Sequence, residues 1–249
     1  MSVIEVRNLC KSFNNLKVLD NITFSLDSDR LLIIGRSGMG KSVLIKTIVR
    51  LLEPERGRVI LNGVDITSLK EKELEEFWRD VGFLFQSGAL FDSLTVEENI
   101  LFVIENVRRI TGEKARRRVK EVLEMVGLPN VGEKMPSELS GGMRKRVALA
   151  RTISTYPKIL FLDEPTTGLD PITSDYVMSS IIDLKNYLQI PIVVVTHDIE
   201  VMKKIGGKLL MLEDHRIVFF GDLEEMFNSG NEYTQQFLKG LSEGPIRVF

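Results

Sequence analysis

Residues 31–42 read LLIIGRSGMGKS, an apolar run followed by a glycine-rich loop that ends in lysine and serine. The loop, residues 35–42, matches the pattern GxxxxGK[ST], in which glycines let backbone N–H groups turn inward around an anion. The apolar run predicts a buried strand. The pattern after Gly40 predicts a helix whose positive end points at the same place. This order of strand, loop and helix predicts a phosphate-binding site rather than a chance glycine-rich turn.

The residues of this loop have distinct predicted roles. Lys41 would reach the β- and γ-phosphates of a nucleotide, and Ser42 would ligate Mg²⁺. The other positions expected to contact the nucleotide are Gly35, Ser37, Gly38, Gly40 and Val43. A nucleotide and Mg²⁺ are therefore the expected ligands of this loop.

Short β-rich runs alternate with helical patterns on both sides of the loop. The predicted strands are residues 3–9, 22–26, 31–34, 58–61, 81–85, 159–162, 192–196, 208–213 and 217–220. The solidly apolar runs in LLIIG, ILFLDE and IVVVTH favour a parallel sheet that is buried on both faces. The first strands alternate between apolar and charged residues, which favours an antiparallel edge sheet.

Helical periodicity follows Gly40 and recurs downstream, over residues 114–126, 141–155, 173–188 and 199–205. Residues from about 87 to 157 lack a convincing strand and are predicted to be a helical insertion. The expected fold class is α/β, with a mostly parallel core sheet, an antiparallel β subdomain at its edge and an inserted α-helical subdomain. The expected domain covers residues 1–221, with its core in 1–86 and 158–221, and a helical tail follows over 222–249.

The composition excludes several classes of protein. Of the 249 residues, 43% are hydrophobic, which is too many for a disordered chain. The formal net charge of −2 argues against a general nucleic-acid binder. Cys10 is the single cysteine and can form no internal disulfide, so a reducing cytoplasmic compartment fits. We expect no signal or transit peptide, because the N-terminal segment carries charges at Glu5, Arg7 and Lys11. We expect no membrane span, because no apolar run approaches the ~20 residues that a span needs.

Residues 159–164, ILFLDE, form a second chemical motif. Burying carboxylates is unfavourable unless they are paired or ligate a metal. A strand parallel to the loop strand would place Asp163 beside the Mg²⁺ held by Ser42. Glu164 would then point at the γ-phosphate, where it can polarise an attacking water. The alternative is a strand end with solvated acids.

Residues 139–143, LSGGM, precede the helical pattern RKRVALART. Ser140 is a predicted N-cap, and Gly141 and Gly142 would expose backbone N–H groups at the helix start. The chain thus contains a second predicted phosphate-binding motif, although the loop of residues 35–42 is sufficient to bind the phosphates of one nucleotide. A head-to-tail pair of chains, each covering the nucleotide of the other, explains both motifs.

Together these motifs resemble the ATP-binding subunits of ABC (ATP-binding cassette) transporters, over about residues 3–221. The resemblance implies a phosphate-loop NTPase fold with a RecA-like core and an ATPase activity coupled to transmembrane transport. It also implies two partners, a second copy of the chain in an ATP-bound dimer and a transmembrane permease, and no nucleic acid. The subunit would be peripheral on the inner face of the cytoplasmic membrane.

The resemblance further implies roles for individual residues. Gln86 matches a glutamine that contacts Mg²⁺ or water and senses the permease, with a solvated loop residue as the alternative. His197 matches a histidine that contacts the γ-phosphate, and Asp170 matches a loop that crosses the dimer interface. Phe13 matches an aromatic residue that stacks on adenine, with a core phenylalanine as the alternative. The expected catalytic residues are Glu164, His197 and Gln86, and the expected metal ligands are Ser42, Gln86 and Asp163.

Residues 85–91, FQSGALF, and the following LTVEENI look like the ATPase subunits of the Mla/Mce lipid-transport group. The segments KMPSELSGGM and DPITS fit the same group, as does the tail segment QFLKGL. This likeness implies a phospholipid or another hydrophobic substrate, and an MCE-domain lipid-binding protein as a further partner. A different ABC importer or exporter, and a soluble ABC ATPase that acts on nucleic acid or ribosomes, stay open. A phosphate-loop kinase or a switch GTPase would not explain LSGG.

Two expectations concern the periphery of the fold. Residues after about Asn228 are expected to dock on a second copy, through Phe237, Leu238 and Leu241, with a tail that packs on its own domain or frays as the alternative. A basic stretch is expected to form the solvated face of a helix, with anionic headgroups or an acidic permease loop as alternative contacts. Its residues are Arg108, Arg109, Lys114, Arg116, Arg117, Arg118 and Lys120.

Overall fold

The structure, a computed structural model, describes residues 3–14 and 16–246. The strands in this part of the chain are β1 (Ile4–Phe13), β2 (Leu16–Leu26), β3 (Arg30–Ile34), β4 (Arg56–Leu61), β5 (Val64–Asp65), β6 (Val81–Leu84), β7 (Ile159–Asp163), β8 (Ile192–Val195), β9 (Lys208–Glu213) and β10 (Arg216–Asp222). The α-helices are α1 (Lys41–Ile48), α2 (Glu71–Arg79), α3 (Val96–Arg108), α4 (Gly112–Met125), α5 (Gly141–Ile153), α6 (Pro171–Leu188), α7 (Ile199–Ile205), α8 (Leu223–Asn228) and α9 (Glu232–Lys239).

One compact unit comprises, among the described residues, 3–14, 16–74 and 191–246. It contains an antiparallel sheet with the strand order β2-β1-β4-β5. In β1, Ile4 and Val6 are fully buried whereas Arg7 is exposed, as expected of a sheet with one solvated face. The antiparallel subdomain predicted from this alternation is confirmed.

The same unit also contains the strand that precedes the glycine-rich loop. Strand β3 pairs in parallel with β8 and β9, and β9 pairs antiparallel with β10. All four residues from Leu31 to Ile34 are fully buried, which explains the uninterrupted apolar run. Because β3 and β8 are parallel neighbours, the loops that follow them leave the sheet at the same edge.

A second compact unit comprises residues 75–190. Its strands β6 and β7 pair in parallel, with Leu84 opposite Leu162. Residues 87–157 form α3, α4 and α5 and contain no strand, so the predicted helical subdomain is confirmed. The predicted domain boundaries at residues 86, 157 and 221 stay a prediction.

All nine predicted strands are present, but some elements were missed. Strand β5 has only two residues, which is too short for a hydrophobic pattern. Helix α2 was missed although Leu74, Phe77 and Trp78 have the i, i+3 and i+4 spacing of a helix face, because this stripe covers little more than one turn and lies among four glutamates. Within the described residues, no helix combines the length and the apolar character that crossing a membrane requires.

The interpretation of the basic stretch as a solvated face is wrong for two of its arginines. Arg118 is 3% exposed and donates hydrogen bonds to the carbonyls of Ile153, at 2.7 Å, and Ser154, at 3.2 Å. Arg108 donates to the carbonyls of Arg79 and Tyr156, each at 3.0 Å. The last carbonyls of a helix have no partner within it, and Arg118 supplies donors at the end of α5.

The C-terminal tail packs within its own unit. Met226 is fully buried, and Asn231 Nδ2 donates to the carbonyl of Val218 in β10, at 2.9 Å. Gln236 is buried, and its Oε1 accepts a hydrogen bond from Ile246 N at 2.7 Å. Leu241 is 51% exposed. Docking of the tail on a second copy stays a prediction, and its residues 247–249 lie outside the described residues.

Candidate functional site

The loop between β3 and α1 depends on glycine at specific positions. Gly35, Gly38 and Gly40 have φ values of 139°, 83° and 86°, a region that L-residues rarely adopt. A Cβ atom on Gly35 would lie 2.3 Å from Leu212 O, and one on Gly40 would lie 2.9 Å from Val18 O. Glycine at these two positions is therefore required both by conformation and by close backbone approach.

The same loop fits a phosphate group chemically. Gly40 is the N-cap residue of α1 and has no side chain with which to cap the first N–H groups of the helix. Lys41 is 4% exposed, and its Nζ donates to the carbonyls of Gly35, at 2.8 Å, and Arg36, at 2.7 Å. The loop thus combines a cation held over its own backbone with helix-end amides, which suits a phosphate. Ser42 and Val43 follow in the first turn of α1, and Ser37 and Gly38 are exposed.

His197 and Phe13 belong to the same unit as the loop. His197 is exposed and follows β8, so it leaves the sheet at the same edge as the loop after β3. Thr196 N donates to Ile33 O at 3.1 Å, which joins the two strand ends. Phe13 is 42% exposed, with Lys11 Nζ 5.1 Å from its ring centroid. This exposure excludes the alternative of a core phenylalanine.

The second unit brings Gln86 and Glu164 together, 78 residues apart in sequence. Strands β6 and β7 are parallel, so the residues that follow them meet at one edge. Gln86 Nε2 donates to Glu164 Oε2 at 3.0 Å, and Thr167 Oγ1 donates to the same oxygen at 2.7 Å. Two donors on one oxygen hold the Glu164 carboxylate in one orientation. Asp163, at the end of β7, is 2% exposed.

Lys145 is a residue of this site that the sequence interpretation missed. It is 8% exposed, and its Nζ donates to the carbonyl of Gln86 and lies 3.5 Å from the carbonyl of Glu164. Burial lowers the pKa of Lys145, whereas the nearby charges of Glu164 and Asp163 act to raise it. The available signal was its helical spacing with the buried residues Ala148 and Thr152, which places a lysine on the apolar face of α5.

Ser140 is the N-cap of α5, as predicted, and its Oγ accepts a hydrogen bond from Met143 N at 3.3 Å. Ser140 and Gly141 are exposed, whereas Gly142 is buried. A Cβ on Gly142 would lie 2.3 Å from Cγ2 of Thr173 in α6. Gly142 is therefore needed for close packing of α5 on α6, whatever its amide binds.

Asp170 caps the other helix of this region. Its Oδ1 accepts hydrogen bonds from the amides of Ile172, at 3.1 Å, and Thr173, at 3.0 Å, at the start of α6. Hydrogen bonds from the Thr173 side chain and then from its amide lower the pKa of Asp170. The exposed carboxylate thus has a local structural role, and its contact with a second chain stays a prediction.

A protein-only metal cage is absent from residues 3–14 and 16–246, where no cluster of three or more His, Cys, Asp or Glu could hold a metal ion. The loop residues Lys41 and Ser42 lie in one unit, and Asp163, Glu164 and Gln86 lie in the other. Their joint action on one nucleotide stays a prediction.

Comparison with known proteins gives consistent results. The family model described as "ABC transporter" matches residues 19–167. The "Intermembrane phospholipid transport system ATP-binding protein MlaF" of Haemophilus influenzae is 38% identical over 99% of this chain and 94% of its own length. The "Probable ribonucleotide transport ATP-binding protein mkl" of Mycobacterium leprae is 37% identical over 98% of this chain and 70% of its own length.

A solved structure of the ATP-binding cassette MJ0796, dimeric and bound to ADP and Pi, superimposes with a TM-score of 0.80. The two sequences are 31% identical, and the match covers 88% of this chain and 98% of the cassette. The motifs, the α/β fold and these relatives agree. The chain belongs to the ABC transporter family, as an ATP-binding cassette with ATPase activity coupled to transport.

Proposed function

We propose that two copies of this chain hydrolyse Mg²⁺-ATP in a head-to-tail dimer and thereby drive a membrane permease that moves phospholipid or another hydrophobic compound. The observation that carries the ATPase chemistry is the orientation of Glu164. Its Oε2 accepts hydrogen bonds from Gln86 Nε2, at 3.0 Å, and from Thr167 Oγ1, at 2.7 Å. A carboxylate held in this way presents its other oxygen in a defined direction, as a general base requires.

The loop between β3 and α1 would bind the nucleotide. In this structure the Lys41 ammonium donates hydrogen bonds to the carbonyls of Gly35 and Arg36. With ATP bound, it would contact the β- and γ-phosphate oxygens, and the amides of the loop would donate to the same phosphates. Phe13 would stack on the adenine ring. Ser42, Asp163 and Gln86 would hold Mg²⁺, which neutralises the charge that develops on the phosphate oxygens.

Glu164 and His197 would act in the chemical step. Glu164 would accept the proton of the attacking water and orient its oxygen towards the γ-phosphorus, while His197 would donate a hydrogen bond to a γ-phosphate oxygen. Turnover would thus depend on Glu164 far more than nucleotide binding does, because Glu164 acts on water rather than on ATP.

The second copy would complete each site. The exposed Ser140 and the adjacent Gly141 and Gly142 would contact the γ-phosphate held by the other chain, and Asp170 would lie at the interface. The dimeric form of the related cassette supports this arrangement. Hydrolysis would then be coupled to closure of the dimer, since an open dimer leaves each nucleotide half covered.

The transported compound would be a lipid, and the chain would lie at a membrane. The segment FQSGALF and the relative named for phospholipid transport, matched over 94% of its length, favour a lipid cargo. The relative named for ribonucleotide transport makes ribonucleotides the second candidate. The partners would be a permease and an MCE-domain lipid-binding protein, with this chain on the inner face of the cytoplasmic membrane.

The test compares wild type, Glu164→Gln and Lys41→Ala in the complex that co-purifies with the chain, reconstituted in phospholipid vesicles. Glu164→Gln should bind ATP, lose at least about a hundredfold in turnover and accumulate the closed dimer, because the base for water is missing. Lys41→Ala should instead weaken ATP binding itself. Full turnover in Glu164→Gln would remove Glu164 from the mechanism.

The same preparation separates the two cargo candidates. A lipid transporter should show wild-type ATP turnover that depends on the phospholipid of the vesicles and does not respond to added ribonucleotides other than ATP. Stimulation by such ribonucleotides, with no transfer of labelled phospholipid, would contradict the lipid assignment. The co-purifying membrane protein, identified by mass spectrometry, provides an independent check.

A further inference from the structure

Helix α5 makes hydrogen bonds to the chain segment that contains Gln86. Lys145 and Arg151 lie six residues apart on this helix, and Ala148, three residues from each, is a surface neighbour of both. Lys145 Nζ donates to the carbonyl of Gln86. The two terminal nitrogens of Arg151 donate to the carbonyls of residues 88 and 89, at 2.9 and 2.7 Å. The segment 86–89 is therefore held to α5 through its backbone.

The segment also packs closely on the helix between these two cations. A Cβ atom on Gly88 would lie 3.2 Å from Cβ of Ala148, and Gly88 has a φ of +77°. Two small residues thus let the backbones of the segment and of α5 approach each other. A shift of α5 would be transmitted to Gln86, because the contact has little free space to absorb it.

Lys145 also lies beside the main chain of the catalytic residue. Its Nζ is 3.5 Å from the carbonyl of Glu164 and the residue is 8% exposed. Burying an ammonium group is unfavourable unless it makes hydrogen bonds or ion pairs, and an apolar side chain of similar length would fill the same space. The bonds to these backbone carbonyls are therefore what lysine contributes here.

We propose that Lys145 is a positioning residue that ties the helix beginning at Ser140 to the Gln86–Glu164 pair. This inference rests on the proposed function, in which Ser140 meets the nucleotide of the other chain and Glu164 acts on its own. Ser140 and Lys145 are five residues apart, or about 7.5 Å along the helix axis. Placement of the Ser140 motif on one nucleotide and alignment of Glu164 for the other would then change together.

This role predicts a specific kinetic defect. Lys41 and the loop of the other unit bind the phosphates, so ATP binding should survive the loss of Lys145. Turnover should fall, because the hydrogen bond from Gln86 to Glu164 loses its support. Cooperativity between the two nucleotides of the dimer should fall as well, because α5 no longer holds the catalytic pair.

The experiment measures kcat, KM and the Hill coefficient for ATP, together with equilibrium binding of a fluorescent ATP analogue, in the full complex. We expect Lys145→Met to lower kcat by about tenfold to a hundredfold, as for other misplaced catalytic groups, with KM changed by less than about twofold. Its Hill coefficient should approach one. Lys145→Gln should be intermediate, because its carboxamide can still donate to a carbonyl. Lys120→Met, at an exposed lysine of α4, is the control.

Two results would overturn the inference. One is a kcat and Hill coefficient for Lys145→Met equal to those of Lys120→Met. The other is a parallel loss of analogue binding and kcat in both Lys145 variants, which indicates structural damage alone. Full turnover in Glu164→Gln would refute the proposed function instead, whatever Lys145→Met does. An inactive Glu164→Gln beside an unaffected Lys145→Met would refute only the role of Lys145.

Discussion

Arg118 lies in a run of arginines and lysines, yet its surroundings differ from those of its neighbours. Its Nη1 is 2.8 Å from Glu121 Oε1, and its guanidinium carbon lies 3.8 Å from the ring centroid of Tyr156. It also donates to two carbonyls at the end of α5. A planar group with five donors can satisfy these contacts at once, which a lysine could not do.

Replacing Arg118 by methionine should lower the free energy of unfolding by about 3 kcal/mol. The carbonyl of Ser154 would lose the donor that Arg118 supplies, and that of Ile153 would keep only its bond from Tyr156 N, at 3.1 Å. The loss of such hydrogen bonds in a buried place is costly. Urea unfolding of the purified chain measures the change. The control is Arg117→Met, whose side chain is 77% exposed and pairs with Glu113 at 3.5 Å. The free energy of unfolding of that variant should stay within about 0.5 kcal/mol of the wild-type value. Equal losses in the two variants would contradict the structural role of Arg118.

At the scale of elements, two helices begin at threonines that differ in one contact. Thr95, the N-cap of α3, accepts a hydrogen bond from Glu98 N at 3.2 Å, and Glu98 Oε2 accepts one from Thr95 N at 2.8 Å. Thr111, the N-cap of α4, makes no such side-chain bond. The same residue type therefore stabilises the start of one helix and not of the other.

Thr95→Ala should lower the free energy of unfolding by about 1 kcal/mol, the usual effect of removing an N-cap hydroxyl. Thr111→Ala should change it by no more than a few tenths, within the range of ordinary surface substitutions. Chemical unfolding followed by far-ultraviolet circular dichroism compares the two variants. If Thr111→Ala lowered the free energy of unfolding as much as Thr95→Ala, the effect would come from replacing a threonine at a helix start and not from losing the capping hydrogen bond.

At the scale of the whole molecule, the tail packs within its own unit and also leaves one apolar side chain exposed. Its polar residues Asn231 and Gln236 bond within their own unit, whereas Leu241 is 51% exposed. Because Leu241 stays exposed between the residues that hold the tail, the tail can still contact a second copy. The exposed leucine therefore allows the docking hypothesis to be tested without removing the anchored part.

Leu241→Asp, made in the Glu164→Gln background, should raise the dissociation constant of the ATP-bound dimer by at least about tenfold. A carboxylate buried in an apolar contact is unfavourable, and tenfold corresponds to about 1.4 kcal/mol. Analytical ultracentrifugation with ATP measures the dimer. Val64→Asp, at a valine of β5 that is 45% exposed, is the matched control. A dimer as stable as that of the control would show that the tail packs on its own unit only.

The sequence by itself determined the features that depend on neighbours along the chain. The loop of residues 35–42 follows a strand and begins a helix, and each of these is encoded within a few residues. The N-cap of α5 at Ser140 and the buried run of β3 were predicted for the same reason. Strand β5 escaped because two residues carry no periodic pattern. Helix α2 escaped because its apolar stripe of Leu74, Phe77 and Trp78 covers little more than one turn among charged residues.

Only the tertiary structure decided which residues act through backbone atoms that are distant in sequence. Arg118 binds carbonyls at the end of α5, and Lys145 binds the carbonyl of Gln86, 59 residues away. Every residue type has the same carbonyl, so no sequence pattern marks the partner of such a bond. The pairing of Gln86 with Glu164 likewise required β6 and β7 to be parallel neighbours. The sequence thus marked the candidate residues of the site, whereas the contacts that orient them depend on elements that only the fold brings together.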